Sequence, residues 1–195
     1  MAGHTMNTDN GEATPRDSGP RSRLIILSGM SGAGKTTALH ALEDIGYFAV
    51  DNLPPSLWAP LARHAAEHGE ERVAVCVDVR TDAFLGEVDS GLDALEAAGF
   101  TPTIVFLTAS EQVLVRRYNF TRRTHPLGEG SLSGDLVREA KALETLRERA
   151  HKIIDTSETS DKELVLKLQR HFTEERAFQL RLVSFGFKRG APIDA

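Results

Sequence analysis

The sequence predicts an α/β protein with a mainly parallel five-stranded sheet and helices on both faces. Two observations carry that prediction. Short apolar runs of strand type alternate with helical stretches, an order that implies right-handed crossovers and a parallel sheet. The first such run, Leu24-Ile25-Ile26-Leu27, leads into Gly29-Met30-Ser31-Gly32-Ala33-Gly34-Lys35-Thr36, which satisfies the phosphate-binding pattern G-x-x-x-x-G-K-[ST] in full. Helix-type residues Ala38–Glu43 follow and stop at Gly46. Strand, glycine loop and helix in that order place the chain in the P-loop NTPase/kinase-like class.

The elements follow in turn. Tyr47–Val50 is a second short apolar run, closed by Asp51-Asn52-Leu53-Pro54-Pro55, after which Ser56 is expected to cap a helix through Glu67. Arg72–Val77 reads as the third strand and ends at Asp78; Asp82–Ala98 reads as a helix closed by Gly99. Thr103–Leu107 is the fourth strand, with a helix from Ser110 to Tyr118 behind it. A loop rich in Gly and Arg covers Asn119–Gly134, then a charged helix Asp135–Ala150 with a solvent-facing run of mixed charge from Arg138 to Arg149. Lys152–Ile154 is the fifth strand and Lys162–Glu175 the last helix. Ligands of such sheets bind beyond the carboxyl ends of the strands, where Ser28, Asp51, Asp78, Thr108 and Asp155 are expected.

Length and composition bound the rest. The 195 residues suit one main domain, and 41% apolar with 26% charged residues is the make-up of a globular protein. The expected division is a disordered polar tail over 1–22, a nucleotide-binding domain over 23–176, and a strand and linker over 177–195. In that last segment Phe178, Leu180 and Leu182 alternate with Gln179, Arg181 and Val183, a period-2 run whose open edge is expected to support self-association. A net charge of −5 argues against coating nucleic acid non-specifically. No apolar run approaches a membrane span and no signal-peptide h-region is present, so no membrane contact and a cytoplasmic location are expected. Cys76, the single cysteine, reads as a buried structural thiol, and the seven histidines show no paired Cys/His spacing of a structural zinc site.

The chemistry concentrates at the glycine loop. Glycines let several backbone N–H groups converge on one anion at the positive end of a helix dipole. Lys35, expected at a solvent-facing loop, would reach the β- and γ-phosphates, and the Thr36 hydroxyl would ligate Mg²⁺. Asp78 follows the apolar Val73–Val77 as a Walker B carboxylate does, and would hold Mg²⁺ from the other side. Asp51 occupies the same place on the second strand and reads equally as an acceptor-facing base or a turn residue. Arg116, Arg117, Arg122 and Arg123 fall within a dozen residues without an acid. Arg122 and Arg123 are the candidates for clamping the transferred phosphate, while Arg116 and Arg117 also suit the end of their helix. His125 before Pro126 reads as structural.

Several segments together resemble one family, the RapZ-like nucleotide-binding proteins. They include Gly29–Lys35, Val50-Asp51-Asn52-Leu53-Pro54, Asp78-Val79-Arg80, Thr121-Arg122-Arg123-Thr124-His125-Pro126-Leu127, Asp155-Thr156-Ser157 and Ser184-Phe185-Gly186-Phe187-Lys188, in collinear order from Arg23 to Ala195. The resemblance implies a bacterial cytoplasmic protein that binds ATP and GTP and hydrolyses both weakly. It places ATP at Gly29–Thr36 (Gly29, Met30, Ser31, Gly32, Ala33, Gly34, Lys35 and Thr36) and assigns Asp78-Val79-Arg80-Thr81 to GTP. The family includes an RNase adapter that binds small regulatory RNA, mostly through a second, C-terminal domain, toward which residues 177–195 are expected to lead. The competing reading is a small-molecule kinase that transfers the γ-phosphate to a metabolite. A pure RNA-binding module is disfavoured by the charge and by the lack of an aromatic platform near the arginines.

Overall fold

Strand β1, Arg23–Gly29, lies at the centre of the sheet, and its residues from Leu24 onward are buried on both faces. A central parallel strand has no solvated face, which is why it reads as a continuous apolar run and not as an alternation. The computed structural model describes residues 23–78, 86–121, 127 and 131–173. Its elements are β1, α1 (Lys35–Asp44), β2 (Phe48–Val50), a 3₁₀ turn (Pro55–Leu57), α2 (Trp58–Glu67), β3 (Arg72–Cys76), α3 (Val88–Ala97), β4 (Thr103–Thr108), α4 (Glu111–Thr121), α5 (Leu132–Ala142), α6 (Glu144–Glu148), β5 (Lys152–Asp155) and α7 (Asp161–Phe172).

The five strands form one parallel sheet in the order β2-β3-β1-β4-β5, as the alternation of runs predicts. Leu27 stands opposite Cys76 on one side, and Gly29 opposite Leu107 on the other. The order reverses direction after β2, so right-handed crossovers put α1 on one face and α2 and α3 on the other. α7 packs on α1, α2 packs on α3, and α4 packs on α5. The core runs through Ile25, Ile26, Leu27, Leu42, Leu95, Phe106, Leu107 and Leu168, with Trp58 also fully enclosed. Burying the Trp58 indole requires a partner for its N–H, and Nε1 donates to the Leu53 carbonyl at 3.1 Å.

Several boundaries differ from expectation. Ser56 does not cap a helix: Pro55 opens a 3₁₀ turn, and α2 starts at Trp58 without a side-chain cap. Pro suits the first turn because its missing N–H has no helical partner there. Of the helix expected over 82–98, Val88–Ala97 is helical, and residues 82–85 lie outside the described part. α4 runs on to Thr121, so the arginine loop is shorter than 119–134, and its far end is helical from Leu132 with Ser131 as N-cap. The single helix expected over 135–150 is two, meeting at the fully buried Leu143. The alternating run 178–184 lies outside the described residues, as do 1–22. Among the described residues no helix is long and apolar enough to cross a membrane.

Candidate phosphate-binding site

The site forms where β1 stops and α1 starts. Gly29 (φ 146°), Gly32 (φ 85°) and Gly34 (φ 99°) all take backbone angles that L-residues rarely adopt. At Gly29 a side chain is also sterically excluded, since a Cβ would stand 2.1 Å from the Leu107 carbonyl oxygen. The loop closes on itself through Ala33 N–H to Met30 O at 3.0 Å, and onto β4 through Met30 N–H to Leu107 O at 3.0 Å.

α1 begins in a way that favours an anion. Its N-cap is Gly34, no side chain caps the first turn, and no acidic residue lies in that turn. Most helices satisfy their first N–H groups with a Ser, Thr, Asp or Asn oxygen. Here the positive end of the helix is left open beneath a glycine loop, the arrangement that suits a phosphate.

Lys35 does not face solvent as the sequence suggests. It is 8% exposed, and its Nζ donates to the Gly29 carbonyl at 2.7 Å and lies 3.6 Å from Asp78 Oδ1. The ammonium is thus stored under the loop beside the carboxylate at the end of β3. Asp78 is brought there by strand register: Val77 N–H bonds Leu27 O at 2.9 Å, which sets the next residue against the end of β1. Thr36 is exposed at the start of α1, next to Lys35. A hydroxyl and a carboxylate flanking the loop lysine are the hard oxygen donors that Mg²⁺ takes, so these residues fit that ion.

Ser28 stands at the carboxyl end of β1 as expected, where it is fully buried with its hydroxyl donating to Val77 O at 3.4 Å. Asp51 is exposed, just before Asn52, whose φ of 51° turns the chain back so that Leu53 N–H reaches Cys76 O at 3.1 Å. Burial pushes the Cys76 thiol up to about 12, with the Asp51 and Asp78 carboxylates adding to the rise and Lys35 opposing it. The bland reading of Cys76 as an inert buried thiol agrees with this. Val79, Arg80, Thr81, Arg122 and Arg123 lie outside the described residues.

Three side chains hold the loop from outside, in roles that the sequence did not disclose. Glu139 on α5 is fully buried and accepts from both the Ser31 backbone N–H (2.9 Å) and its hydroxyl (2.6 Å). Arg117 on α4 donates to Gly32 O at 2.9 Å and to the Thr156 hydroxyl and carbonyl at 3.0 and 2.7 Å. Thr156 is 2% exposed, and its own hydroxyl reaches Ala33 O at 3.0 Å and Thr108 O at 3.1 Å. Arg117, five residues before the expected phosphate clamp, therefore braces the Gly32 carbonyl of the loop. The mixed-charge helix is likewise not wholly solvent-facing, since Asp135 and Glu139 are both buried. A signal existed: Leu132, Leu136, Glu139, Leu143 and Leu146 step by four, three, four and three, so Glu139 occupies an apolar-face slot.

On the β5 side, Ser157 donates to Asp155 Oδ1 from its hydroxyl (2.5 Å) and its backbone N–H (2.8 Å), which holds the Asp155 carboxyl below its usual range. Beside the loop, Met30, Phe106, Thr108, Leu114 and Leu136 line a mostly apolar cavity of about 200 Å³.

Comparison with known proteins agrees with this geometry. The family model described as the RapZ-like N-terminal domain matches residues 22–176. The chain belongs to the RapZ-like family. A curated relative from Thermus thermophilus, called a nucleotide-binding protein, is 53% identical over 173 residues, covering 89% of this chain and 62% of the relative. Another of that description, from Moorella thermoacetica, is 45% identical over 181 residues, covering 89% and 60%. The chain thus spans about three fifths of the length of the RapZ-like relatives it matches. Among solved structures, a sugar kinase from Janibacter superposes with a TM-score of 0.52 at 17% identity, covering 76% of this chain and 93% of that one. The shikimate kinase of Acinetobacter baumannii does so at 0.51 and 17% identity, covering 80% and 97%. At such identities the likeness shows the fold, which is that of P-loop kinases.

Proposed function

We propose that this chain is the nucleotide-binding domain of a RapZ-like protein, taking Mg²⁺ with ATP or GTP and hydrolysing both slowly in the cytoplasm. The observation that carries the reading is the start of α1: an uncapped, acid-free helix end at Gly34, under left-handed glycines and beside a stored lysine. In this reading the backbone of Gly29–Thr36 cradles the phosphates. Lys35 exchanges the Gly29 carbonyl for β- and γ-phosphate oxygens. Thr36 and Asp78 would hold Mg²⁺, which neutralises charge on those oxygens when bound. Hydrolysis breaks the bond from the γ-phosphorus to the bridging oxygen as water adds, leaving nucleoside diphosphate and inorganic phosphate. Arg122 and Arg123 are proposed to steady the transferred group, and Val79, Arg80 and Thr81, with Asp78, to contribute to GTP binding. Recognition of small regulatory RNA is proposed to belong to further residues of the longer relatives.

Transfer to a metabolite is the competing outcome. The test is to incubate the chain with γ-labelled ATP or GTP in a cell metabolite extract and follow the label. Label released only as inorganic phosphate is expected; label in an organic phosphate ester establishes a kinase instead.

A further inference from the structure

A second polar cluster lies away from the nucleotide site, at the end of α2. His64, Glu67 and His68 are all exposed, and each offers one ligand atom within 4.8 Å of the others. Their spacing of three and four residues puts them on one helix face, and His64 and His68 form an i, i+4 pair that the reading of the histidines as unpaired overlooked. We propose that these three side chains form a binding site for a first-row divalent transition ion, Zn²⁺ being the physiological candidate, with water completing a tetrahedral shell.

The donor set is right for such an ion. Imidazole suits zinc, copper and nickel, whereas Mg²⁺ takes oxygen ligands, so this site does not duplicate the one proposed at Thr36 and Asp78. The rings are already paired: their centroids are 4.2 Å apart with planes at 42°. His68 Nδ1 lies 2.8 Å from the His64 carbonyl. With the proton on Nδ1 donating to that oxygen, the lone pair is on Nε2. A backbone carbonyl fixing the tautomer of a ligating histidine is the usual outer-shell arrangement at metal sites. His68 is also the C-cap of α2, whose terminal carbonyls carry partial negative charge and favour a cation.

The geometry needs little adjustment. Ligand nitrogens about 2.0 Å from a tetrahedral zinc stand roughly 3.3 Å apart. Bringing the three atoms from within 4.8 Å to that separation takes small side-chain rotations, and exposed side chains make them without disturbing the core. β3 begins at Arg72 just after α2, so this helix end is at the amino edge of the sheet, opposite the glycine loop. Occupancy here and nucleotide binding should be separable.

The experiment is a calorimetric titration of the untagged chain with Zn²⁺, paired with visible absorption on adding Co²⁺ as a spectroscopic stand-in. One ion per chain is expected, with cobalt bands of tetrahedral intensity. His64→Ala and His68→Ala should each lower affinity about tenfold or more. Glu67→Gln should weaken binding while keeping the two-histidine core. Affinity for Mg²⁺ with ATP should stay at its wild-type value in all three, and their melting temperatures without zinc should match wild type. No binding at millimolar zinc overturns the proposal. So does undiminished affinity in the double variant His64→Ala/His68→Ala, which would place the ion elsewhere in the chain.

Discussion

Glu139 shows what one buried carboxylate does for a loop of glycines. It takes both donors of Ser31, so the first half of the phosphate loop is anchored to α5 in advance of any ligand. Removing the acceptor leaves a backbone N–H and a hydroxyl without it in a dry place. Glu139→Ala should therefore destabilise the domain by about 2 kcal/mol. Glu139→Gln keeps a carbonyl oxygen and should cost less, a ranking that chemical denaturation of the two variants checks. Cys76 gives a second prediction at this scale. Its folded pKa is raised above the ordinary 9.0 to about 12, so the neutral thiol is favoured by folding. That contribution is complete below the unfolded value and is lost as pH climbs from there toward the folded one. Alkylation of Cys76 in mildly alkaline buffer should accordingly wait on unfolding, and Cys76→Ala should flatten the alkaline fall in stability. Reaction of the native protein at the rate of an exposed thiol would contradict this.

Elements tell which parts of the structure a sequence can disclose. The inner strands β1, β3 and β4 were legible because parallel strands within a sheet are buried on both faces and appear as apolar runs. The loop was legible because its glycines sit at fixed spacing before Lys35 and Thr36. Helix starts were less so. Ser56 is a good cap by type, yet Pro54-Pro55 ahead of it sets a 3₁₀ turn that overrides the local preference. The braces were hardest, since Arg117–Thr156 and Ser31–Glu139 join residues 39 and 108 apart and depend on helix placement. Close packing of β1 on β4 gives a test. Gly29→Ala drives a Cβ into the Leu107 carbonyl and should cost about 3 kcal/mol or more. Gly46→Ala has a similarly rare φ of 90° but nothing within 4 Å, and should cost about 1 kcal/mol. Equal melting temperatures for the two variants would show that the close approach at Gly29 is relieved by backbone movement.

At the scale of the molecule, a five-stranded parallel sheet delivers three things to one edge: an open helix end, a lysine and a carboxylate. None of these alone identifies a nucleotide site, and their convergence is what the proposed function rests on. Any ligand that binds only the folded chain raises its stability, so Mg²⁺ with ATP or GTP should also lift the melting temperature. The most direct measurement is calorimetric titration of wild type and Lys35→Ala with ATP and with GTP in the presence of Mg²⁺. Wild type should bind both nucleotides. The variant should remain folded, because the loop is held by Glu139, Arg117 and Thr156, and should lose about tenfold or more in affinity for each triphosphate. Equal affinities in wild type and a folded Lys35→Ala variant, or no binding by wild type, would contradict the account.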